Sequence, residues 1–396
     1  MSAYGHAPQI ALLEGSNFVD RPIGGQLTKI KAYIEALPYQ CICIGMTDER
    51  CRVGAWSEVS HKDKTLPFFG VGVVSATEKR PVIPQRAQFL AGVLKWRRVL
   101  RRAPVRLAIA ISPEGAFAAN LLGWHLVMYE SSGVCGSLRK SRYQWARPFA
   151  SLFEEYTYRV LRETRVILAA ADMASIEEWV SNSDGSIKRE YVHQLPTGFD
   201  EEIFYVREKV TCRREKGLPV DARIVTWVGR LNRVKNWSLA ITAFAVAAEK
   251  CPRLIMLMVG DGEDREDVVR KCKELNVDHK VVMLGSCSRR EVAMALGSSD
   301  VIVSTSEMEG WPTSVVEGLA CGRPVVSSAV GGAIEMIKNE ENGFLCRTFE
   351  VKEYANAIAR ALSLEWDEER CAGSVAAFGS RERAARLREL LGRELH

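Results

Sequence analysis

Five short apolar runs, separated by amphipathic stretches, occupy the second half of the chain, and this alternation restricts the fold more than any other sequence feature. The runs are Arg223-Ile-Val-Thr-Trp-Val-Gly229, Leu254-Ile-Met-Leu-Met-Val-Gly260, Lys280 to Gly285, Asp300 to Ser304 and Arg323 to Ser328. They are rich in Val and Ile and lack clean polar alternation, so they read as strands covered on both faces by helices. Between them, Asn236 to Glu249 carries apolar residues at helical spacing, and Asp264 to Leu275 is charged and amphipathic. A parallel, doubly wound α/β sheet is the fold that satisfies this pattern.

At 396 residues the chain is too long for one ordinary domain. The first half repeats the grammar less cleanly, with candidate strands at Gln9 to Leu13, Cys41 to Gly45, Phe68 to Val74, Leu107 to Ile111, Leu126 to Tyr129 and Val166 to Ala169. A second Rossmann-like domain is expected there. Between the halves, Pro196-Thr-Gly-Phe-Asp200 leads into a charged, helix-poor stretch through Arg213 to Gly217, with Pro219 beyond, which reads as a linker with its boundary near Phe204 to Lys216. The expected division is 1–205, 206–365 and a C-terminal helical segment, 366–396, that packs back toward the first domain.

A composition of 47% hydrophobic and 26% charged residues excludes fibrous and disordered classes. The eleven cysteines, among them Cys41, Cys43, Cys135, Cys287 and Cys321, form no C-x-x-C pair and accompany no paired His motif, so reduced structural thiols are expected. The opening MSAYGHAPQIALLEGSNF lacks a signal-peptide pattern, and no stretch approaches the apolar length of a membrane span, so a cytoplasmic protein is expected. Net charge is a modest +5, but Lys79 to Arg106 holds nine Lys or Arg and no acid. KWRRVLRR, from Lys95 to Arg102, reads either as a helix face touching anionic lipid or as a solvated helix. No nucleic-acid partner is expected.

In open α/β sheets ligands sit beyond the carboxyl ends of the strands, so the segments after each strand carry the chemistry. Gly229-Arg-Leu-Asn-Arg-Val-Lys235 sets Arg230 and Lys235 one short loop apart. Two fixed cations there suit a diphosphate and the charge that builds on it as it leaves, unless the loop is an ordinary solvated one. Glu309-Gly-Trp-Pro-Thr-Ser-Val-Val-Glu317 places two carboxylates eight residues apart, across a loop that turns into a helix whose free N–H groups favour phosphate. Glu317 could accept hydrogen bonds from a ribose diol while Glu309 sits near the sugar; two unrelated surface acids are the alternative. Val259-Gly-Asp-Gly-Glu263 reads as a structural turn, since no third Gly at dinucleotide spacing follows. Gly24 and Gly25, before a helix from Leu27 to Leu37, would let backbone approach a ligand closely.

In this order the pieces closely resemble the retaining glycosyltransferases of family four, which have the GT-B fold, two Rossmann-like doubly wound domains facing each other across a cleft. The family's E-x7-E signature looks like Glu309 to Glu317, and the text after it resembles GLACGRPVVSSAVGGAIEMI. Its phosphate-binding pair looks like Arg230 and Lys235, its interdomain phrase resembles Pro196-Thr-Gly-Phe-Asp200, its N-terminal glycine loop is similar at Gly24 and Gly25, and Val282 to Gly285 resembles its nucleobase segment. The match is strong from near Tyr191 to Leu362 and weak over most of the first half. Many members carry a His after the central strand of the first domain, whereas this chain reads Val127-Met-Tyr-Glu-Ser-Ser-Gly133. Glu130 or Ser131 stands in its place, and His125 falls before the strand.

The resemblance implies transfer of a sugar from a nucleotide-diphosphate sugar, with retention and without metal or other cofactor; the basic run and the lack of a membrane span suggest a saccharide or lipid-linked saccharide, or an anionic saccharide, as acceptor, in cell-surface polysaccharide or glycoconjugate assembly. It implies catalytic roles for Glu309, Arg230 and Lys235, and donor contacts from Gly24, Gly25, Gly229, Arg230, Lys235, Gly285, Glu309, Gly310, Trp311, Pro312, Thr313, Ser314 and Glu317. The acceptor would bind mainly the first domain, with possible peripheral contact to an anionic membrane. Two alternatives are an epimerase-like enzyme of the same architecture, which converts donor without acceptor, and a degenerate nucleotide-sugar binder. The second would have lost a charged site member, yet Arg230, Lys235, Glu309 and Glu317 are all present.

Overall fold

The computed structural model describes residues 10–17, 25–37, 41–47, 51–61, 64–74, 84–131 and 144–395. The chain divides into two compact units, Met1–Leu195 with Ala384–His396, and Pro196–Arg383.

The first unit runs β1 (Ile10–Asn17), α1 (Gly25–Ala36), β2 (Cys41–Thr47), β3 (Trp56–His61), β4 (Lys64–Val73), α2 (Gln85–Leu100), β5 (Leu107–Ala110), α3 (Pro113–Leu122), β6 (His125–Ser131), α4 (Ala150–Leu161), β7 (Val166–Ala169), α5 (Met173–Asn182) and β8 (Val192–Gln194). The described strands form one sheet in the order β3-β4-β2-β1-β5-β6-β7-β8, parallel except where β3 pairs with β4. Alternate residues of β1 serve opposite faces. Ala11 and Leu13 pack with Phe89 and Val93 of α2 and Ala116 of α3. Ile10 and Leu12 pack with Ile30 and Tyr33 of α1 and with Leu387, Leu390 and Leu391 near the end of the chain. Local signals fix the helices: Ser112 Oγ accepts from Gly115 N at 3.2 Å, Pro113 opens α3, and Gly123, at φ 71°, closes it.

The second unit runs α6 (Lys209–Glu215), β9 (Arg223–Val228), α7 (Trp237–Lys250), β10 (Leu254–Val259), α8 (Arg265–Glu274), β11 (Val281–Gly285), α9 (Arg289–Gly297), β12 (Val301–Ser304), α10 (Thr313–Ala320), β13 (Val325–Ser328), α11 (Ala333–Met336), β14 (Gly343–Cys346), α12 (Val351–Ser363) and α13 (Glu368–Gly373), and α14 (Ser380–Leu395) follows. Its described strands form a parallel sheet in the order β11-β10-β9-β12-β13-β14. The chain steps outward from β9 in one direction and, through β12, in the other. The gap between the carboxyl ends of β9 and β12 is therefore a topological switch point.

Both units carry the Rossmann-like expectation, with differences at the seams. The stretch read as a linker is folded: Glu208 caps α6 by accepting from Val210 N at 2.9 Å, and buried Arg213 donates to Asp300 Oδ2 at 2.7 Å and Ser298 O at 2.9 Å. The division falls at Leu195/Pro196, earlier than the 204 to 216 read from composition. The segment after it is tied into the second unit: Phe199 N donates to Phe378 O at 3.2 Å, and Ser380 N donates to Phe199 O at 2.8 Å. Among the described residues the cysteines are free thiols, and burial pushes Cys41, Cys321 and Cys346 up to about 12. No described helix is long and apolar enough to cross a membrane.

Candidate functional site

Because β9 and β12 are neighbours, with Val225 beside Val301 and Trp227 beside Val303, the loops that follow them emerge side by side. In the first loop, fully buried Leu231 anchors the turn and its N–H donates to Asp261 O at 3.0 Å, which leaves Arg230 exposed. Asn232 Oδ1 accepts from Lys235 N at 3.2 Å, and Asn236, at φ 47°, caps α7. Lys235 Nζ forms an ion pair with Glu309 Oε1 from the second loop; the two side chains are 28% and 15% exposed. Arg230 makes no ion pair among the described residues.

Thr305, at the end of β12, locks the two loops together. Trp227 Nε1 donates to its hydroxyl at 3.2 Å, and the hydroxyl lies 3.1 Å from Lys235 O and 2.9 Å from Asn236 O. Glu307 N adds a bond to Val234 O at 2.9 Å. Thr305 and Trp227 are both buried, so a valine at 305 strands an indole N–H in the core. Thr305→Val is therefore expected to cost about 2 kcal/mol in chemical denaturation and to lower turnover, while Thr305→Ser keeps both near the native values.

The glycines around the site serve close approach. A Cβ on Gly260 would lie 1.9 Å from Gly229 O, and one on Gly262 would lie 2.3 Å from Leu231 O, so the Gly-Asp-Gly turn after β10 supports the cationic loop as a structural piece. After β13, a Cβ on Gly331 would meet Glu309 O at 2.3 Å, and one on Gly332 would lie 1.9 Å from the Trp311 ring, while Gly332 N donates to Gly310 O at 3.0 Å. Trp311 is buried and stands edge-on to Phe378 at 5.0 Å. Gly331 and Gly332 thus shape the glutamate loop, as does Thr305. None of the three was singled out from sequence, although the Gly-Gly pair directly after a strand was the available signal.

Pro312 precedes α10 and no side chain caps it, so the first N–H groups of Thr313 and Ser314 are open. Glu317, one turn inside, is half-buried, and burial raises its carboxyl from 4.5 to about 7 against the pull of Arg289. Gly285 ends β11 at φ 68°. The structure thus gathers Gly229, Arg230, Lys235, Glu309, Gly310, Trp311 and Pro312 on adjoining loops of one unit, with Thr313, Ser314 and Glu317 on the helix beside them.

In the first unit Gly24 lies outside the described residues and Gly25 opens α1. Glu130 is fully buried and paired with Lys29 Nζ at 3.0 Å, itself 4% exposed. Ser131 is buried beside it and His125 is exposed at the opposite end of β6. Among the described residues no group of three or more His, Cys, Asp or Glu is arranged to hold a metal ion.

Residues 209–375 match the family described as glycosyl transferases group 1. The match lies within the second unit. Over 171 residues the chain is 30% identical to N-acetyl-alpha-D-glucosaminyl L-malate synthase of Bacillus anthracis, a stretch covering 43% of each chain. The chain thus spans less than half the length of this curated relative. Similarity of fold extends further: sucrose-phosphate synthase from Thermosynechococcus elongatus superposes with a TM-score of 0.77 over 98% of this chain and 99% of that one, at 20% identity. Anabaena Alr3699/HepE in complex with UDP and glucose superposes at 0.71 over 97% and 99%, at 18% identity. The matched residues accordingly lie within a chain of GT-B fold.

Proposed function

We propose that the chain is a retaining glycosyltransferase that moves a sugar from a nucleotide-diphosphate donor to a saccharide or lipid-linked saccharide, without a metal ion. The second unit binds the donor and the first unit the acceptor. The reading places the protein in surface polysaccharide or glycoconjugate assembly, in peripheral contact with the cytoplasmic face of an anionic membrane. The observation that carries it is the pairing of Lys235 with Glu309 at the β9/β12 switch point, with Arg230 exposed beside it and the α10 N-terminus open. The group 1 match and the UDP bound by the Anabaena neighbour support the same reading.

The chemistry follows from where charge moves. As the glycosidic bond to the diphosphate lengthens, negative charge grows on the leaving oxygens and positive charge on the anomeric carbon. Arg230, Lys235 and the α10 N–H groups meet the former. Lys235 leaves Glu309 for the diphosphate, and Glu309 is then free to accept a hydrogen bond from a sugar hydroxyl. The leaving phosphate oxygen takes the acceptor's proton, so no separate protein base is required.

A thermal-shift and turnover screen over a panel of nucleotide sugars, with and without saccharide acceptors, tests the proposal, since a ligand that binds only the native state raises apparent stability. Stabilisation by one donor class with acceptor-dependent consumption is expected. No shift with any nucleotide sugar would sink the reading, and donor conversion without acceptor would favour an epimerase.

Donor binding also carries a pH signature. Glu317 takes up its proton near pH 7 because burial raises its carboxyl to about 7, and a ribose diol donates best to the ionised form. Affinity for the nucleotide should therefore fall as pH drops through 7 and level off above it, with proton release on binding. Calorimetric titration in buffers of different ionisation heat reads this directly, and Glu317→Gln should flatten the profile.

A further inference from the structure

The first sheet has a switch point of its own. From β1 the chain steps outward through β2 to the pair of β3 and β4, then returns to place β5 on the other side of β1. β1 and β5 stay in register as far as Leu13 beside Ala110 and then part, which is where an open α/β sheet takes a ligand. Three close contacts fix what stands there. Gly115 lets α3 start directly on the end of β1, since a Cβ at that position would lie 2.5 Å from Leu13 O. Gln85 Nε2 donates to Gly15 O at 2.9 Å and holds the first turn of α2 against the same end. Arg86, the next residue, brings its Nη1 to 3.6 Å from Glu114 Oε1.

Glu114 carries a charge at this corner that the fold does not satisfy. It is only 5% exposed, yet among the described residues no hydrogen bond reaches its Oε2, and Arg86 stays beyond hydrogen-bonding distance of Oε1. Buried carboxylates ordinarily accept donors on both oxygens, and one that does not is costly to keep. Its place in the first turn of α3 does not account for it, because an exposed acid serves the helix dipole without that cost. The surroundings add little relief. Burial raises the Tyr129 phenol, its hydrogen bond with Ser131 lowers it, and the charges of Glu114 and Glu14 raise it further against the pull of Arg86, so a second buried carboxylate lies within electrostatic reach. Arg86 itself is half exposed and covers the corner loosely.

We propose that Glu114 sets the specificity for the acceptor by receiving two adjacent hydroxyls of a neutral saccharide, one on each carboxylate oxygen, as Arg86 swings aside. A vicinal diol supplies the pair of donors that the carboxylate lacks, in charge-assisted hydrogen bonds. A phosphate at the same corner would face the carboxylate charge, so a sugar phosphorylated there is turned away. The inference rests on the reading that the first unit binds the acceptor, and it narrows that acceptor to one with an uncharged sugar ring at this corner.

Saturation-transfer NMR on the full chain, with the methyl glycosides of glucose, galactose and mannose and with glucose 6-phosphate as probes, tests the assignment. At least one methyl glycoside is expected to take up saturation from the native chain, and the sugar phosphate little. Glu114→Gln should weaken the apparent affinity roughly tenfold, the loss that accompanies a hydrogen bond to a charged group. Glu114→Asp, which keeps the charge but withdraws it by one methylene, should weaken it as well. The melting temperature of Glu114→Gln should not fall, because the native side chain gives up no hydrogen bond at Oε2. No saturation of any methyl glycoside by the native chain, equal affinity in Glu114→Gln, or tighter binding of the sugar phosphate overturns the proposal. A lowered melting temperature with saccharide binding intact does so too, by assigning Glu114 to the fold. Both variants should keep the nucleotide-sugar shift; its loss in the native chain would instead defeat the donor reading, and the two failures are read with different ligands.

Discussion

Lys235→Ala is expected to lower kcat/KM for the nucleotide sugar by roughly 30- to 800-fold, the range of about 2 to 4 kcal/mol that follows loss of a preorganised group facing developing negative charge. Removing Lys235 also leaves the Glu309 carboxylate without its cation, and that alone would repel a diphosphate. The two effects separate in a double-mutant cycle. If Lys235 serves only to neutralise Glu309, Lys235→Ala with Glu309→Gln recovers most of the activity; if it stabilises the leaving group, the double variant stays low. Arg230→Ala should fall at the lower end of the same range, because Arg230 is exposed and water screens part of its charge. Steady-state kinetics on the four chains decides between these outcomes, and full turnover in both Lys235→Ala and Arg230→Ala would remove the site assignment.

The second large effect is on stability. Gly260 sits at φ 128°, and a Cβ there would come within 1.9 Å of Gly229 O, a backbone atom held by the Gly229 N to Val259 O bond of 3.0 Å. No rotamer change relieves such a clash, so the β9 and β10 ends must separate. Gly260→Ala should cost about 4 kcal/mol and lower the melting temperature by on the order of 10 °C. Gly217→Ala is the matched comparison: Gly217 also has positive φ, 65°, but a Cβ there meets nothing within 4 Å. Its cost should stay near the roughly 1 kcal/mol of left-handed strain. Similar melting temperatures for the two variants would show that the close approach contributes little.

The parts of the fold visible in sequence were those whose environment is uniform. β9, β10, β12 and β13 are covered on both faces and read as short Val-, Ile- and Met-rich runs without polar alternation. β3 was missed because its sequence, WSEVSH, lies at the sheet edge and half of it faces outward. β8 is Val-His-Gln and holds no apolar run, and β14, Gly343-Phe-Leu-Cys346, opens on a glycine and is only partly buried. α6 was read as linker because Arg213 is charged, yet its guanidinium is buried against Asp300, a pairing eighty-seven residues distant that no local pattern announces.

The site divides in the same way. Arg230, Lys235, Glu309 and Glu317 stand out because charge after a strand is visible in one dimension. Thr305 looks like any small polar residue, and its importance arises only when the indole of Trp227 and two carbonyls of another loop converge on it. Glu130, at the carboxyl end of β6, pairs with Lys29, about a hundred residues earlier and on α1, a partner that sequence position does not announce.

The first unit is assembled from the two extremes of the chain. Leu387, Leu390 and Leu391 are nearly inaccessible and share a core with Ile10, Leu12, Ile30 and Leu195. On the ribosome these leucines are made only after every residue of the second unit. A nascent first unit therefore waits with the apolar side of β1 and α1 uncovered while the second unit is completed, and its core closes only when the last turns of α14 leave the exit tunnel.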